Sequence, residues 1–188
     1  MRYLPRISLA IALTLLSSAV WAGTISFKPY ACELPSTSTA VVNTQSNSVH
    51  PYGYIEMGTS GGPSCVFHFT YPSAAGANVL VQVDWMVESA STNNGCFTVS
   101  VGVLPAGAEW SNSMAYGGAG TQSANAGSSL LNRATSSPFV VSNNLTHEQC
   151  TATDCQGMQG YVRVTRNNGC SNNLSSNVLR VIGIQLVY

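Results

Sequence analysis

A chain of 188 residues with 45% hydrophobic and only 7% charged side chains is long enough for one ordinary domain and too apolar to be disordered. Its seven basic and seven acidic groups cancel. Nothing in that balance attracts a polyanion, which argues against nucleic-acid binding through a basic patch.

The first element is a three-part export signal. Arg2 and Arg6 make a positive start, Ile7 to Leu16 is almost wholly apolar, and the small residues Ser17, Ser18 and Ala19 follow. Val20-Trp21-Ala22 supplies the small or aliphatic positions that a signal peptidase reads, so residues 1–22 are expected to be a cleaved secretory signal peptide. An apolar run of about 10–14 residues is too short to span a hydrocarbon core of roughly 30 Å, and no lipobox cysteine follows it. Cleavage leaves one domain, 23–188, with five basic against seven acidic groups. No later stretch is apolar enough to span a bilayer.

From Gly23 onward the pattern is strand and turn. Gly23 to Phe27 alternates apolar and polar residues and stops near Pro29. Cys65 to Tyr71 alternates again and stops at Pro72, after the turn Ser60-Gly61-Gly62. The clearest strand is Val79 to Val87. Val79, Val81, Val83, Trp85 and Val87 share one face, which a period of two assigns to the core, while Gln82 and Asp84 face the other way. Phe97 to Val103 repeats the device. The turn signal Asn93-Asn94-Gly95 between the two predicts an antiparallel hairpin. Ala106 to Ser137 is poor in bulky apolar residues and reads as a long excursion over one edge or end; its most helix-like part, Ser129 to Ala134, is too short to be stable alone. Pro138 to Val141, Gly160 to Thr165 and Val178 to Tyr188 complete the strands, the last two separated by the Asn/Ser-rich stretch Asn167 to Asn177. Many short strands divided by Gly, Pro, Asn and Ser predict an all-β fold: a jelly-roll-like antiparallel β-sandwich with disulfides. The final strand is expected to be interior or, in an assembly, an edge that receives a partner strand.

Cys32, Cys65, Cys96, Cys150, Cys155 and Cys170 all lie in the mature part. An exported chain meets an oxidising compartment, so disulfides are the expected use of an even set of thiols. Sequence proximity singles out Cys150–Cys155 as the staple of one loop and leaves the other four unassigned. The set His147, Cys150, Cys155 and Cys170 has a loose tetrahedral-zinc spacing, which the disulfide reading displaces. No metal and no cofactor is expected.

Two combinations of residues resemble known families. Val81-Gln82-Val83-Asp84-Trp85 is followed by Cys96-Phe97-Thr98-Val99-Ser100-Val101, and much later by Tyr161 to Arg166, a polar loop and the closing run Leu179 to Tyr188. From about Val79 to Tyr188 this layout resembles the jelly-roll-like β-sandwich domains of phage tail and appendage proteins and of bacterial secreted or surface proteins. The resemblance implies a structural or adhesive role, not a reaction. The chain departs from it in the penultimate loop, where Asn167, Asn168, Asn172 and Asn173 replace the usual aspartates, which argues against a calcium-bearing loop. Gly23 to Phe27 with Cys32 is similar to the start of fimbrial subunits of Gram-negative bacteria.

Catalytic constellations are thin. A serine hydrolase needs a base and an orienting acid. His68 lies between Phe67 and Phe69 and therefore faces solvent, His50 has no flanking acid, and there is no Gly-x-Ser-x-Gly elbow. A glycosidase needs two carboxyl groups across one bond. Asp84 and Glu88 share a strand face but stand about 13 Å apart at the normal rise. Binding needs less. Glu109, Trp110, Asn112 and Tyr116 place an acid, an amide and two amphipathic rings in one Gly/Ser-rich loop, suited to sugar recognition. The function expected is thus a secreted, non-enzymatic structural or adhesive subunit that binds surface glycans or its own copies, outside the cell and by way of the periplasm in a Gram-negative host. A monomeric carbohydrate-binding module is the alternative, and a small secreted hydrolase is third. The sequons Asn144-Leu145-Thr146 and Asn173-Leu174-Ser175 matter only in a eukaryotic secretory route.

Overall fold

A computed structural model describes residues 23–45, 52–72, 78–87, 93–104, 117–124, 130–143, 157–174 and 177–188. The expected export signal, residues 1–22, lies outside them. Among the described residues no helix is long and apolar enough to cross a membrane.

The chain forms two β-sheets packed face to face. Its strands are β1 (Thr24–Phe27), β2 (Val41–Gln45), β3 (Tyr52–Met57), β4 (Ser64–Thr70), β5 (Asn78–Met86), β6 (Asn94–Leu104), β7 (Gly117–Ala124), β8 (Asn132–Thr135), β9 (Phe139–Val140), β10 (Ser142–Asn143), β11 (Gln159–Arg166) and β12 (Leu179–Val187). One sheet runs β2-β3-β12-β5-β8, with β1 on β12 and β9 on β5. The other runs β10-β6-β11-β4, with β7 also on β6. Pairing is antiparallel except for the short β10–β6 contact. This is the expected all-β, jelly-roll-like sandwich.

Period-two alternation places the core as anticipated. Val79, Val81, Val83, Trp85 and Val87 are fully buried. They meet Phe97, Val99, Val101, Val103, Val162 and Val164 from the facing sheet. The Trp85 indole packs 6.3 Å from the Phe97 ring and donates its Nε1 hydrogen to Ser123 Oγ at 2.8 Å. Gly95 makes room for that ring, because a Cβ there would lie 2.5 Å from it. At the other side, Phe27 packs on Phe67 and Phe69.

The expected hairpin between Val79–Val87 and Phe97–Val103 does not form. β5 pairs with β12 and β8, whereas β6 pairs with β11 and β7. The two strands face each other across the core instead of lying side by side. Both carry a valine face, and because they lie in different sheets both faces meet in the core. The long excursion over Ala106 to Ser137 holds two strands, β7 and β8, and its helix-like end is β8. The final strand is interior, flanked by β5 on one side and by β3 and β1 on the other, so it offers no edge to a partner strand. A bulge at Ile182 separates the pairs Val181↔Trp85 and Gly183↔Asp84. It lets Val181 and Ile184 both point inward although they are three residues apart.

Two disulfides, Cys32–Cys65 and Cys96–Cys170, assign the four thiols that spacing left open. Cys150 and Cys155 lie outside the described residues. Because Cys170 is bonded to Cys96, it is removed from any zinc set.

Candidate functional site

The sugar-binding loop expected from the sequence, with Glu109, Trp110, Asn112 and Tyr116, lies outside the described residues, as do Glu88, His50 and His147. His68 and Asp84 are described. His68 is half-buried on the outer face of β4, its Nε2 2.7 Å from Glu33 Oε2 and its ring edge-on to Tyr161 at 4.8 Å. Asp84 faces outward as its period required. Arg133 on β8 donates two hydrogen bonds to its two oxygens, from Nε at 2.6 Å and Nη2 at 2.8 Å. That fork hydrogen bond raises the Arg133 pKa further.

The arrangement best suited to a ligand is one that the sequence reading passed over: the outer face of the seven-stranded sheet. Residues paired across antiparallel strands share a face. The register therefore builds this surface row by row. One row holds Val41, Glu56, Arg180 and Met86. The next holds Asn43 and Tyr54 on one side of the β12 bulge and Asp84 and Arg133 on the other. Gln185, Gln82 and Thr135 form a third.

Within this surface β3 provides two tyrosines two positions apart, their ring centroids 6.1 Å apart and tilted by 50°. The Arg180 guanidinium stands over the Tyr54 ring, 4.5 Å from its centroid. Such a cation–π contact fixes both side chains. Asn43 Nδ2 donates to Glu56 Oε2 at 3.3 Å, and the Tyr52 hydroxyl donates to Met86 Sδ at 3.7 Å. The result is an aromatic pair ringed by amides and by charges of both signs, in which Tyr52 is part-exposed and Tyr54, 8% exposed, is buried beneath Arg180. Its sequence signal was present in Tyr52-Gly53-Tyr54-Ile55-Glu56-Met57, where Tyr, Tyr and Glu alternate with Gly, Ile and Met.

The Asn-rich loop between β11 and β12 has another use. Arg166 is 5% exposed. It donates from Nη1 to Met57 O at 2.7 Å and to Asn177 O at 2.8 Å, from Nη2 to Leu174 O, and from Nε to Asn168 Oδ1 at 2.9 Å. Burial lowers its pKa from the usual arginine value. The asparagine amides hold backbone: Asn168 Nδ2 reaches Thr59 O, Asn94 Nδ2 reaches Ser171 O, Asn93 Nδ2 reaches Asn173 O, and Asn173 Nδ2 reaches Asn168 O. The loop is tied down by its own side chains. Among the described residues no three His, Cys, Asp or Glu groups gather as a metal site.

No protein-family model matches the sequence, and no curated protein is similar to it in sequence. Solved structures are similar in fold. The isomalto-dextranase of Arthrobacter globiformis T6, solved with panose, matches at a TM-score of 0.51 and 10% identity, over 87% of this chain and 23% of that one. The GH26-CBM35 β-(1,4)-mannanase of Podospora anserina matches at 0.49 and 10%, over 87% and 27%. A CBM35 module from Cellvibrio japonicus matches at 0.48 and 8%, over 88% and 94%. The chain thus spans about a quarter of the two enzymes and nearly all of the isolated module. These likenesses concern the jelly-roll fold, and they favour neither the phage-tail nor the fimbrial half of the sequence resemblance.

Proposed function

We propose that this chain is an exported, non-catalytic carbohydrate-binding module whose ligand lies on the outer face of the seven-stranded sheet. The observation that carries the reading is the Tyr52–Tyr54 pair with Arg180 over one ring and the Asn43–Glu56 hydrogen bond beside it. A pyranose has an apolar face and a rim of hydroxyls. An aromatic ring covers the first, while amides, carboxylates and guanidinium groups bond the second.

A binding role also agrees with the engagement of the three carboxylates among the described residues. Glu33 meets His68, Glu56 meets Asn43, and Asp84 is forked by Arg133. Two disulfides fit an oxidising compartment, and with it export. The neutral, amide-rich face suits uncharged saccharides.

The test is a glycan array probed with the mature chain, followed by titration of any bound oligosaccharide. Tyr52→Ala is expected to weaken binding about tenfold, the cost of truncating one stacking ring. Trp110→Ala tests the loop singled out in the sequence. If Trp110→Ala abolishes binding while Tyr52→Ala and Arg180→Ala leave it intact, the site belongs to that loop and not to the sheet.

A further inference from the structure

A sheet edge is a row of backbone donors and acceptors, and proteins usually cover it or guard it with Lys, Pro or a bulge. Most edges of this sandwich are covered. The free side of β4 is bridged by Glu33, through Glu33 N–H to Val66 O at 2.8 Å and Val66 N–H to Glu33 O at 3.0 Å, and the Cys32–Cys65 disulfide pins that bridge. On the opposite side β7 and β8 lie against each other across the two sheets. β1 is four residues long and is followed by a 3-10 turn, Pro29–Ala31.

β2 is different. Val41-Val42-Asn43-Thr44-Gln45 contains no charge, proline or glycine, and among the described residues it pairs only with β3. Val41 is 49% exposed and Thr44 is exposed. Among the described residues no backbone hydrogen bond reaches the free side of this strand.

We propose that β2 is a self-association edge, on which a second copy of this chain adds its own β2 antiparallel across a two-fold axis at Asn43. The strand is complementary to itself in that register. Val41 faces Gln45 of the second copy, Val42 faces Thr44, and Asn43 faces Asn43, so two β-branched pairs flank an amide pair. Charge agrees. The one charged residue paired to β2 is Glu56, beside Val41 at one end, and its copy falls at the other end. The two carboxylates therefore never face each other.

The consequence concerns the outer face. Asn43 and Tyr54 are register partners. Three strand spacings of about 4.8 Å would set the two Tyr54 rings about 14 Å apart on one continuous sheet. Two saccharide platforms on a single rigid surface bind a long polymer with avidity that one platform lacks. This consequence rests on the glycan reading, but the pairing itself does not.

The experiment is therefore done on the mature chain without saccharide. Sedimentation velocity is run from micromolar to roughly millimolar protein, because five paired residues make a weak interface. The wild type is expected to shift from monomer to dimer, and Val41→Lys is expected to remain monomeric with an unchanged melting temperature. Cross-linking then reads the register. In Asn43→Cys the two new thiols stand opposite each other, with Cα atoms about 4.5–5.5 Å apart, inside disulfide range. In Val41→Cys they stand about 14 Å apart, outside it. Oxidation is expected to yield covalent dimer from Asn43→Cys at least tenfold faster than from Val41→Cys. A wild type that stays monomeric throughout, a Val41→Lys variant that still dimerises, or equal cross-linking of the two cysteine variants would each overturn the proposal. A chain that dimerises yet binds no glycan would refute the proposed function and leave the edge standing.

Discussion

Gly95→Ala gives a direct reading of how the core is packed. Gly95 lies on β6 opposite Trp85, and an added Cβ would stand 2.5 Å from two ring atoms and 2.8 Å from a third. The ring cannot step aside freely. Trp85 is fully buried, its Nε1 is held by Ser123 Oγ, and Phe97 packs beside it. Overpacking of this kind costs about 1–3 kcal/mol. Alanine recovers about 0.4–1 kcal/mol by restricting the unfolded chain. The net expectation is a loss of about 1–2 kcal/mol, which in a domain of this size lowers the melting temperature by about 2–8 °C. Gly120 is the control, because nothing lies within 4 Å of a Cβ added there. Gly120→Ala is expected to be neutral or slightly stabilising. Urea and thermal unfolding measure both variants, and near-ultraviolet circular dichroism reports on Trp85. A Gly95→Ala variant as stable as Gly120→Ala, with an unchanged aromatic signal, would refute this account of the core.

Three further outcomes are expected. Arg166→Met removes the donors of Met57 O, Leu174 O and Asn177 O, so urea unfolding should show a loss of about 3–5 kcal/mol. Hydrogen exchange should rise first in residues 167–174; a loss below about 1 kcal/mol would mean that water replaces the guanidinium. The Tyr71 pKa is pushed up by burial from 10.0 to about 12. The unfolded chain ionises first, so stability should hold below pH 10 and fall by roughly 2–3 kcal/mol as the pH rises toward about 12, a decline that Tyr71→Phe should lessen. Replacing Cys96 and Cys170 by Ala opens a loop of sequence separation 74 and should cost about 4 kcal/mol in chemical denaturation, unless the Asn network alone holds the loop.

Alternation in the sequence says which side of a strand faces the core: β5 and β11 carry their inward residues where the pattern puts them, and β12 does so on either side of its bulge. It says nothing about which strands are neighbours. Val79–Val87 and Phe97–Val103 read as a hairpin because both alternate around an Asn-Gly turn, yet they belong to opposite sheets. β7 was missed because Gly-Gly-Ala-Gly-Thr-Gln-Ser-Ala has almost no bulky residue to mark a face, and its strand form depends on pairing with β6. β2 and β3 were missed for a different reason. The inner face of β3 begins with Gly53, so its period is carried by outward tyrosines, which a search for buried apolar residues passes over. Read by local composition alone, the chain points to Trp110, the most conspicuous ring in a polar stretch. Tyr52 and Tyr54 meet Arg180 and Asn43 only when distant strands come together, and no local spacing announces that meeting.

The central claim is that saccharide lies on the outer face of β2, β3 and β12. The most direct measurement is an amide and side-chain NMR titration of the mature chain with an oligosaccharide selected on the array. The account predicts that the largest shifts fall on Asn43, Tyr52, Tyr54 and Arg180, saturating together. Shifts confined to the 105–116 segment or to the face of the five-stranded sheet, with those four residues unmoved, would contradict it.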